Sequence, residues 1–307
     1  MKLKISLFIF VISLISCQEN KEVLKDKIVK VNYLIQVDEL LRIVEQPNVK
    51  IIDFRKSKFY LEEHITGALN IWRTDIENKS YPYDGMMADK EQIEALFSKL
   101  GIDIKDTIVI YDDNGLCDSA RLWWILQNYN FTNVKLFHGG ITAWKLNKGN
   151  VSKIIPPIEK TVFKLPAYSA MKYFVSKDDV LKSLNSKTII LDTRTEDEFS
   201  GKHQKKGALK GGRIPNSKLI DWSEAIDYHG DKKIKSFEEL NTIYNKFASK
   251  QDTIIVYCHS GVRSAHTTFV LTQLLGYEHV KNYDGSWTEW SHFDELPIIK
   301  DSITKIK

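Results

Sequence analysis

Asp106–Trp144, DTIVIYDDNGLCDSARLWWILQNYNFTNVKLFHGGITAW, and Asp252–Trp290, DTIIVYCHSGVRSAHTTFVLTQLLGYEHVKNYDGSWTEW, align without a gap at an offset of 146. Eleven of the 39 positions are identical, including Tyr111 with Tyr257, Gly115 with Gly261, Val134 with Val280, Gly139 with Gly285 and Trp144 with Trp290. Upstream, Ile51-Ile52-Asp53-Phe54-Arg55 answers Ile190-Leu191-Asp192-Thr193-Arg194 at an offset of 139. The change of offset places an insertion in the second half, and the Gly- and Lys-rich stretch Gly201 to Gly212 best accommodates it. Two copies at so long a period are a duplicated domain and not a solenoid.

Within the second copy, Thr188 to Leu191 and Thr253 to Tyr257 are short apolar runs of the kind buried on both faces of a sheet. Asp178 to Leu184, Phe237 to Ala248 and Ser264 to Leu275 are helical stretches, the last stopping at Gly276. Strands alternating with helices predict an α/β fold in which each copy is a mostly parallel sheet with helices on both faces. Between the copies, Asn150 to Pro166 holds Pro156, Pro157 and Pro166 and reads as a linker. Trp123, Trp124, Trp144, Trp287 and Trp290 lie on helices or at element ends in the paired repeats, which predicts packing and not a stacking surface.

The chain has 307 residues, 43% hydrophobic and 27% charged, with three cysteines. That composition excludes a disordered, collagenous or disulfide-stapled protein, and the length suits two domains. The formal charge is +4, or +2 without Lys2 and Lys4, and basic residues are interspersed with acidic ones. Nothing there predicts a nucleic-acid partner.

Lys2 and Lys4 precede an apolar run from Ile5 to Ile15, too short to span a bilayer but suited to a secretory h-region. Leu14-Ile15-Ser16-Cys17 resembles the bacterial lipobox, in which the peptide is cut before a cysteine that receives a lipid. Residues 1–16 are thus expected to be a lipoprotein signal peptide and 17–30 a tether holding the chain outside the cytoplasm through lipidated Cys17. Gln18, rather than Asp, favours the outer membrane. The remaining divisions are expected at 31–149, 150–168 for the linker and 169–301.

After the strand ending at Tyr257 comes Cys258-His259-Ser260-Gly261-Val262-Arg263-Ser264, and then a helix. A cysteine between a buried strand and a helix N-terminus meets unpaired N–H groups and the positive end of the dipole, which favour its thiolate. Gly261 lets the loop curl into an anion-binding nest. Arg263 adds positive charge, as does His259 when protonated. Cys117 aligns with Arg263 and not with Cys258, so it reads as a bystander thiol.

With that loop, Tyr283-Asp284-Gly285-Ser286-Trp287-Thr288-Glu289-Trp290, Leu122-Trp123-Trp124, His64-Ile65-Thr66-Gly67-Ala68 and Tyr81-Pro82-Tyr83-Asp84, the chain resembles the tandem-domain rhodanese sulfurtransferases from about Val31 to Ile299. The resemblance implies two rhodanese-like domains, the first degenerate because Asp112 stands where Cys258 stands. It implies catalysis by a Cys258 persulfide, moving sulfur from an anionic small-molecule donor to cyanide or a thiol, without metal or organic cofactor; the residues leave the oligomeric state open, with a monomer expected. It assigns Arg194 to the donor's anionic group, although the second donor-binding arginine of the family is replaced by Glu198. Arg263 joins Arg194 as the expected donor-binding pair and favours thiosulfate. The alternative, 3-mercaptopyruvate, draws on Asp53, His64 and Ser260, the first two of which could equally be structural. More remote are a phosphatase or arsenate reductase of the same fold, for which Cys258 to Arg263 is one residue short of C-x5-R, and a non-catalytic binding module.

Overall fold

The computed structural model describes residues 33–301. Cys17 and the signal-peptide and tether expectations lie outside them, as do the first two residues of the expected first domain. Twelve strands follow in chain order: β1 Leu34–Ile35, β2 Val49–Asp53, β3 His64–Ile65, β4 Leu69–Asn70, β5 Thr107–Tyr111, β6 Val134–Phe137 and β7 Val151–Ser152, then β8 Phe174–Val175, β9 Ile189–Asp192, β10 Lys218–Leu219, β11 Thr253–Tyr257 and β12 His279–Tyr283. One five-stranded sheet runs β1-β6-β5-β2-β4 and the other β8-β12-β11-β9-β10, every pairing parallel. The two orders are the same, so the duplication extends to topology.

The register also locates the insertion. Asp53 pairs with Asn70, 17 positions on, whereas Asp192 pairs with Leu219, 27 positions on. The ten extra residues therefore lie between β9 and β10, in the span that contains Gly201 to Gly212. Strand β7 falls inside the expected linker and pairs antiparallel with β3, so part of that segment is built into the first domain.

Alternation along each central strand explains why these sequences need cover on both sides. In β5, Ile108 and Ile110 enter one core while Val109 and Tyr111 enter another. In β11, Ile254 and Val256 face one way, and Ile255 and Tyr257 the other. The core taking Ile108, Ile110, Ile254 and Val256 is continuous across both domains. Helix Ser119–Asn128 of the first copy, wholly buried, packs in it against helix Val262–Phe269 of the second. There the Trp123 ring meets Phe269 edge-on at 5.0 Å. All five tryptophans singled out above are buried, as an apolar packing role requires.

Around this apolar seam the loops at the C-terminal ends of the two sheets interlock. Arg121 donates to Asp284 at 2.5 Å and to the Gly85 carbonyl at 2.8 Å, both charged side chains being buried. Asp284 also accepts the Met87 amide at 3.0 Å, and the Tyr83 hydroxyl donates to Glu289 at 2.9 Å. Gly85, at φ +101°, passes so close to Ser260 that a Cβ would lie 2.5 Å from the serine's own Cβ. That approach requires glycine.

A buried ion pair is strongly destabilising when one partner alone is removed, because the other charge stays behind without compensation. Arg121→Ala is therefore expected to lower the unfolding free energy by about 3–5 kcal/mol, measured by chemical denaturation. The Arg121→Ala/Asp284→Ala pair should lose less than the two single losses added together.

Candidate functional site

Cys258 follows the last residue of β11, at the carboxyl end of a central parallel strand, where open α/β sheets place their ligands. Its own backbone is tightly held: the amide donates to Ser286 Oγ at 3.1 Å, and the carbonyl accepts from Trp287 N at 3.0 Å. The Gly261 amide donates to the same Ser286 oxygen at 3.1 Å. Gly261, at φ +74°, turns the chain into the following helix, and a Cβ there would strike the Asp284 carbonyl and the Arg121 guanidinium. One residue, Ser286, thus pins both sides of the loop.

The Cys258 sulfur is 1% exposed. Burial alone raises a thiol pKa, but the Arg263 charge, with the Ser264 and Ser260 amides, outweighs it, and the Cys258 pKa falls below its ordinary value. The first copy presents the same kind of nest already filled. Asp112 accepts the amides of Asn114 and Ser119 at 2.9 and 2.8 Å and those of Leu116 and Asp118 at 3.0 Å. Burial, then the neighbouring Asp118, raises the Asp112 pKa. Cys117, close by, is buried as well, and burial followed by the Asp118 charge pushes its thiol well above the ordinary range. These surroundings keep it a neutral thiol.

The cations expected to receive a donor are placed otherwise. Arg194 is 1% exposed; it grips Asp192 through Nε and Nη2 at 2.6 to 3.0 Å and donates to the Gly212 carbonyl at 2.8 Å. Its guanidinium also stacks 4.7 Å from the Trp287 ring centroid. Arg194 therefore locks a strand end and has no open face for a donor, which corrects the expectation. Arg55 and Asp53 make the same pair in the first copy, with Tyr111 Oη donating to Asp53 at 2.5 Å.

Arg263 is also engaged: Nη1 and Nη2 donate to the two carboxylate oxygens of Glu198 at 2.7 and 2.8 Å. Although burial works against ionisation of Glu198, Arg263 overrides it and holds the carboxyl at about 2. Arg263 thus acts on the thiolate as half of an ion pair, and not as the free donor-binding charge expected. The condition placed on His259 is not met near pH 7. Burial, then the charge of Lys205, depresses its pKa to about 4, and Nε2 faces the Lys206 carbonyl at 3.0 Å. It is neutral near pH 7. Asp53 and His64 belong to the first domain's interior. His64 Nδ1 lies 2.7 Å from the Tyr60 carbonyl, and Nε2 3.1 Å from that of Ile154, with the ring stacked on Tyr60 at 3.9 Å. Both are held by hydrogen bonds to first-domain and linker residues, and none of those bonds reaches the Cys258 loop.

Two cations not anticipated from the sequence lie within electrostatic range of Cys258. Lys205, on the ten-residue insertion, feels burial and Arg263, which lower its pKa, and Glu198 and Cys258, which raise it. Arg73, on the short helix Arg73–Ile76 of the first domain, pairs with Asp118 and feels Cys258 as well as Cys117. The sole sequence signal for Lys205 was its place in an insertion present in only one copy. For Arg73 there was none, because only the folded interface brings it to the loop. The arrangement is a buried thiol whose pKa is lowered by Arg263 and loop amides, with further cations of both domains in electrostatic range, and it is suited to nucleophilic attack.

A family model described as a rhodanese-like domain matches residues 36–147 and again 176–293. A thiosulfate sulfurtransferase of Corynebacterium glutamicum is 32% identical over 269 residues, covering 84% of this chain and 87% of that protein. The sulfur carrier protein TtuD of Thermus thermophilus is 32% identical over 283 residues, 87% of this chain and 96% of its own. Among solved structures, the 3-mercaptopyruvate sulfotransferase SseA from Escherichia coli superposes with a TM-score of 0.74 at 24% identity, over 83% of this chain and 98% of that one. With the same fold present twice and the cysteine loop kept only in the second copy, this chain belongs to the rhodanese-like domain family as a tandem-domain member.

Proposed function

We propose that the protein is a sulfurtransferase that carries sulfane sulfur on Cys258, and that it works outside the cytoplasm on a lipid anchor at Cys17. The observation that carries the catalytic reading is the contrast between the two nests. Asp112 fills one with its own side-chain carboxyl, whereas Cys258 offers the other a sulfur that can take on one further atom. In the first half-reaction the Cys258 thiolate attacks the outer sulfur of the donor. A new S–S bond forms, the donor's bond to that sulfur breaks, and the donor leaves with the electron pair. In the second, an acceptor thiolate or cyanide attacks the outer persulfide sulfur and expels the Cys258 thiolate. Each step exchanges one bond for another and needs no added oxidant. Ping-pong kinetics are expected.

Thiosulfate is the favoured donor. Its two negative charges suit Lys205, which feels the Cys258 charge from the insertion, while sulfite is a stable leaving anion. Asp53 and His64, on which mercaptopyruvate chemistry would draw, are committed elsewhere by hydrogen bonds. The relatives named for thiosulfate support the same choice. Attachment through Cys17 rests on the residues before it, with several acyl chains giving stable anchoring.

Cys258→Ser should abolish thiocyanate formation from cyanide with thiosulfate and with 3-mercaptopyruvate assayed in parallel, and wild type should prefer thiosulfate in kcat/KM. Retained activity in the variant would exclude the mechanism; preference for 3-mercaptopyruvate would overturn only the choice of donor. Lys205→Ala should raise KM for thiosulfate by about tenfold, the scale of a lost hydrogen bond to a charged group, with a smaller change in kcat. Glu198→Gln removes a negative charge beside Arg263 and so should lower the thiolate pKa. The alkaline-rising limb of kcat/KM against pH is expected to move to lower pH; a limb that stays in place or moves up would show that the ion pair does not tune the thiol.

A further inference from the structure

Leaving the first domain, residues 145–164 form a ridge with an unusual surface. Leu146, Ile154, Ile155 and Val162 are 72%, 78%, 58% and 77% exposed. Five lysines, Lys145, Lys148, Lys153, Lys160 and Lys164, accompany a single acid, Glu159. Lys145 pairs with Glu63 and Lys164 with Glu94, but among the described residues Lys148, Lys153 and Lys160 show no ion pair. Apolar side chains are displayed beside unmatched positive charge.

The display is built and not a loose loop. Strand β7 pairs with β3, the Ile154 carbonyl meets His64 Nε2 and Trp144 Nε1 donates to the Asn150 carbonyl at 2.9 Å. Farther on, Thr161 N donates to the Ser98 carbonyl and Leu165 N to Glu94, each at 3.0 Å. His64, which the sulfur chemistry leaves unused, thus holds the ridge against the domain. Its place in the fold is also informative. The ridge crosses beside Gly101 and Pro47, before β5 and β2 begin, at the opposite end of the first sheet from the loops that meet Cys258. Tyr33, where the described chain starts, lies beside Thr132–Lys135 at that same end. The 16 positions from Cys17 to Tyr33 reach at most about 55 Å.

We propose that this ridge docks on an anionic phospholipid surface. Ile154, Ile155, Val162 and Leu146 enter the headgroup region, and Lys148, Lys153 and Lys160 face the lipid phosphates, as interfacial anchors combine apolar burial with basic charge. The first domain then rests on the membrane, and the Cys258 loop points away from it. The orientation rests on the anchored reading above, but the ridge itself is testable without the lipid.

The chain beginning at Gln18 retains every residue of both sheets. It should float with vesicles of phosphatidylcholine plus phosphatidylglycerol, bind far less to phosphatidylcholine alone, and detach as salt rises. Ile154→Ser/Ile155→Ser/Val162→Ser and, separately, Lys153→Glu/Lys160→Glu should each weaken partitioning by about tenfold or more, each lysine being worth roughly fivefold, with thiosulfate turnover unchanged as the measure of an intact fold. Failure to bind anionic vesicles, or equal binding by wild type and variants, would overturn the proposal. So would a wild-type dimer in sedimentation that the serine variant converts to monomer, because a second copy would then cover the ridge. Membrane fractionation of the full chain with Cys17→Ala is read separately. Retention equal to wild type there, together with ridge-dependent vesicle binding, would remove the lipid anchor and leave the docking surface standing.

Discussion

Backbone amides gathered at the end of a central strand must meet negative charge, because buried N–H groups without partners are costly. Everything distinctive about this protein follows from how the two copies satisfy that demand. In the first, Asp112 accepts four amides and closes the nest for good. In the second, Cys258 supplies a sulfur that the same kind of nest draws towards its anion. A carboxylate has nothing further to give; a thiolate can take up another sulfur and remain an anion in the same amide field. Degeneracy of the first copy is therefore a change in what fills a conserved electrostatic hole, with the surrounding scaffold intact.

That scaffold explains why Arg194 is buried against its own strand end. Asp53, Arg55 and Tyr111 are joined by short hydrogen bonds, and Asp192 and Arg194 repeat the arrangement beside Tyr257. A pair present in the copy without a nucleophile serves something both copies share, the closure of neighbouring strand ends. The charge that acts on sulfur is instead Arg263, tempered by Glu198 across 65 residues of sequence. Pairing keeps the guanidinium ionised and oriented at the buried loop while limiting its net field, so the thiolate is stabilised without being stripped of its nucleophilicity.

Much of the architecture was legible because it depends on local pattern and on self-comparison. The run Thr253 to Tyr257 is the strand expected, and Thr188 to Leu191 is displaced by one residue to Ile189–Asp192. The changing offset between repeats pointed to the insertion that the strand register measures. The helix expected from Ser264 starts at Val262, since left-handed Gly261 is its entry, and gives way at Val270 to a wider π turn ending at Leu274. Partnerships over long separations left no such trace. Nothing near Arg121 announces Asp284, and nothing near Arg73 announces the sulfur of another domain. Glu198 looked like a lost donor-binding arginine because its partner, Arg263, is invisible from its own neighbourhood. For Arg194, two roles share the same spacing after a strand-end aspartate, and only burial distinguishes them.

The insertion is where the second copy departs most from the first, and its contacts show how a loop becomes part of a site. The Lys206 carbonyl faces His259 Nε2, Leu209 N donates to Ser291 Oγ and the Lys210 carbonyl accepts Trp287 Nε1. These bonds fasten the added residues to the nucleophile loop and to the segment carrying Ser286, which pins that loop from the other side. His259 contributes here as a neutral hydrogen-bonding group, and its low pKa follows from burial beneath the insertion. Lys205 is brought within electrostatic range of Cys258 because its neighbours are fixed, although the residue itself is exposed. In both copies the nest amides find an acceptor, Asp112 in one and Cys258 in the other. Only in the second copy do ten further residues, held at several points, bring a lysine within electrostatic range of the nest.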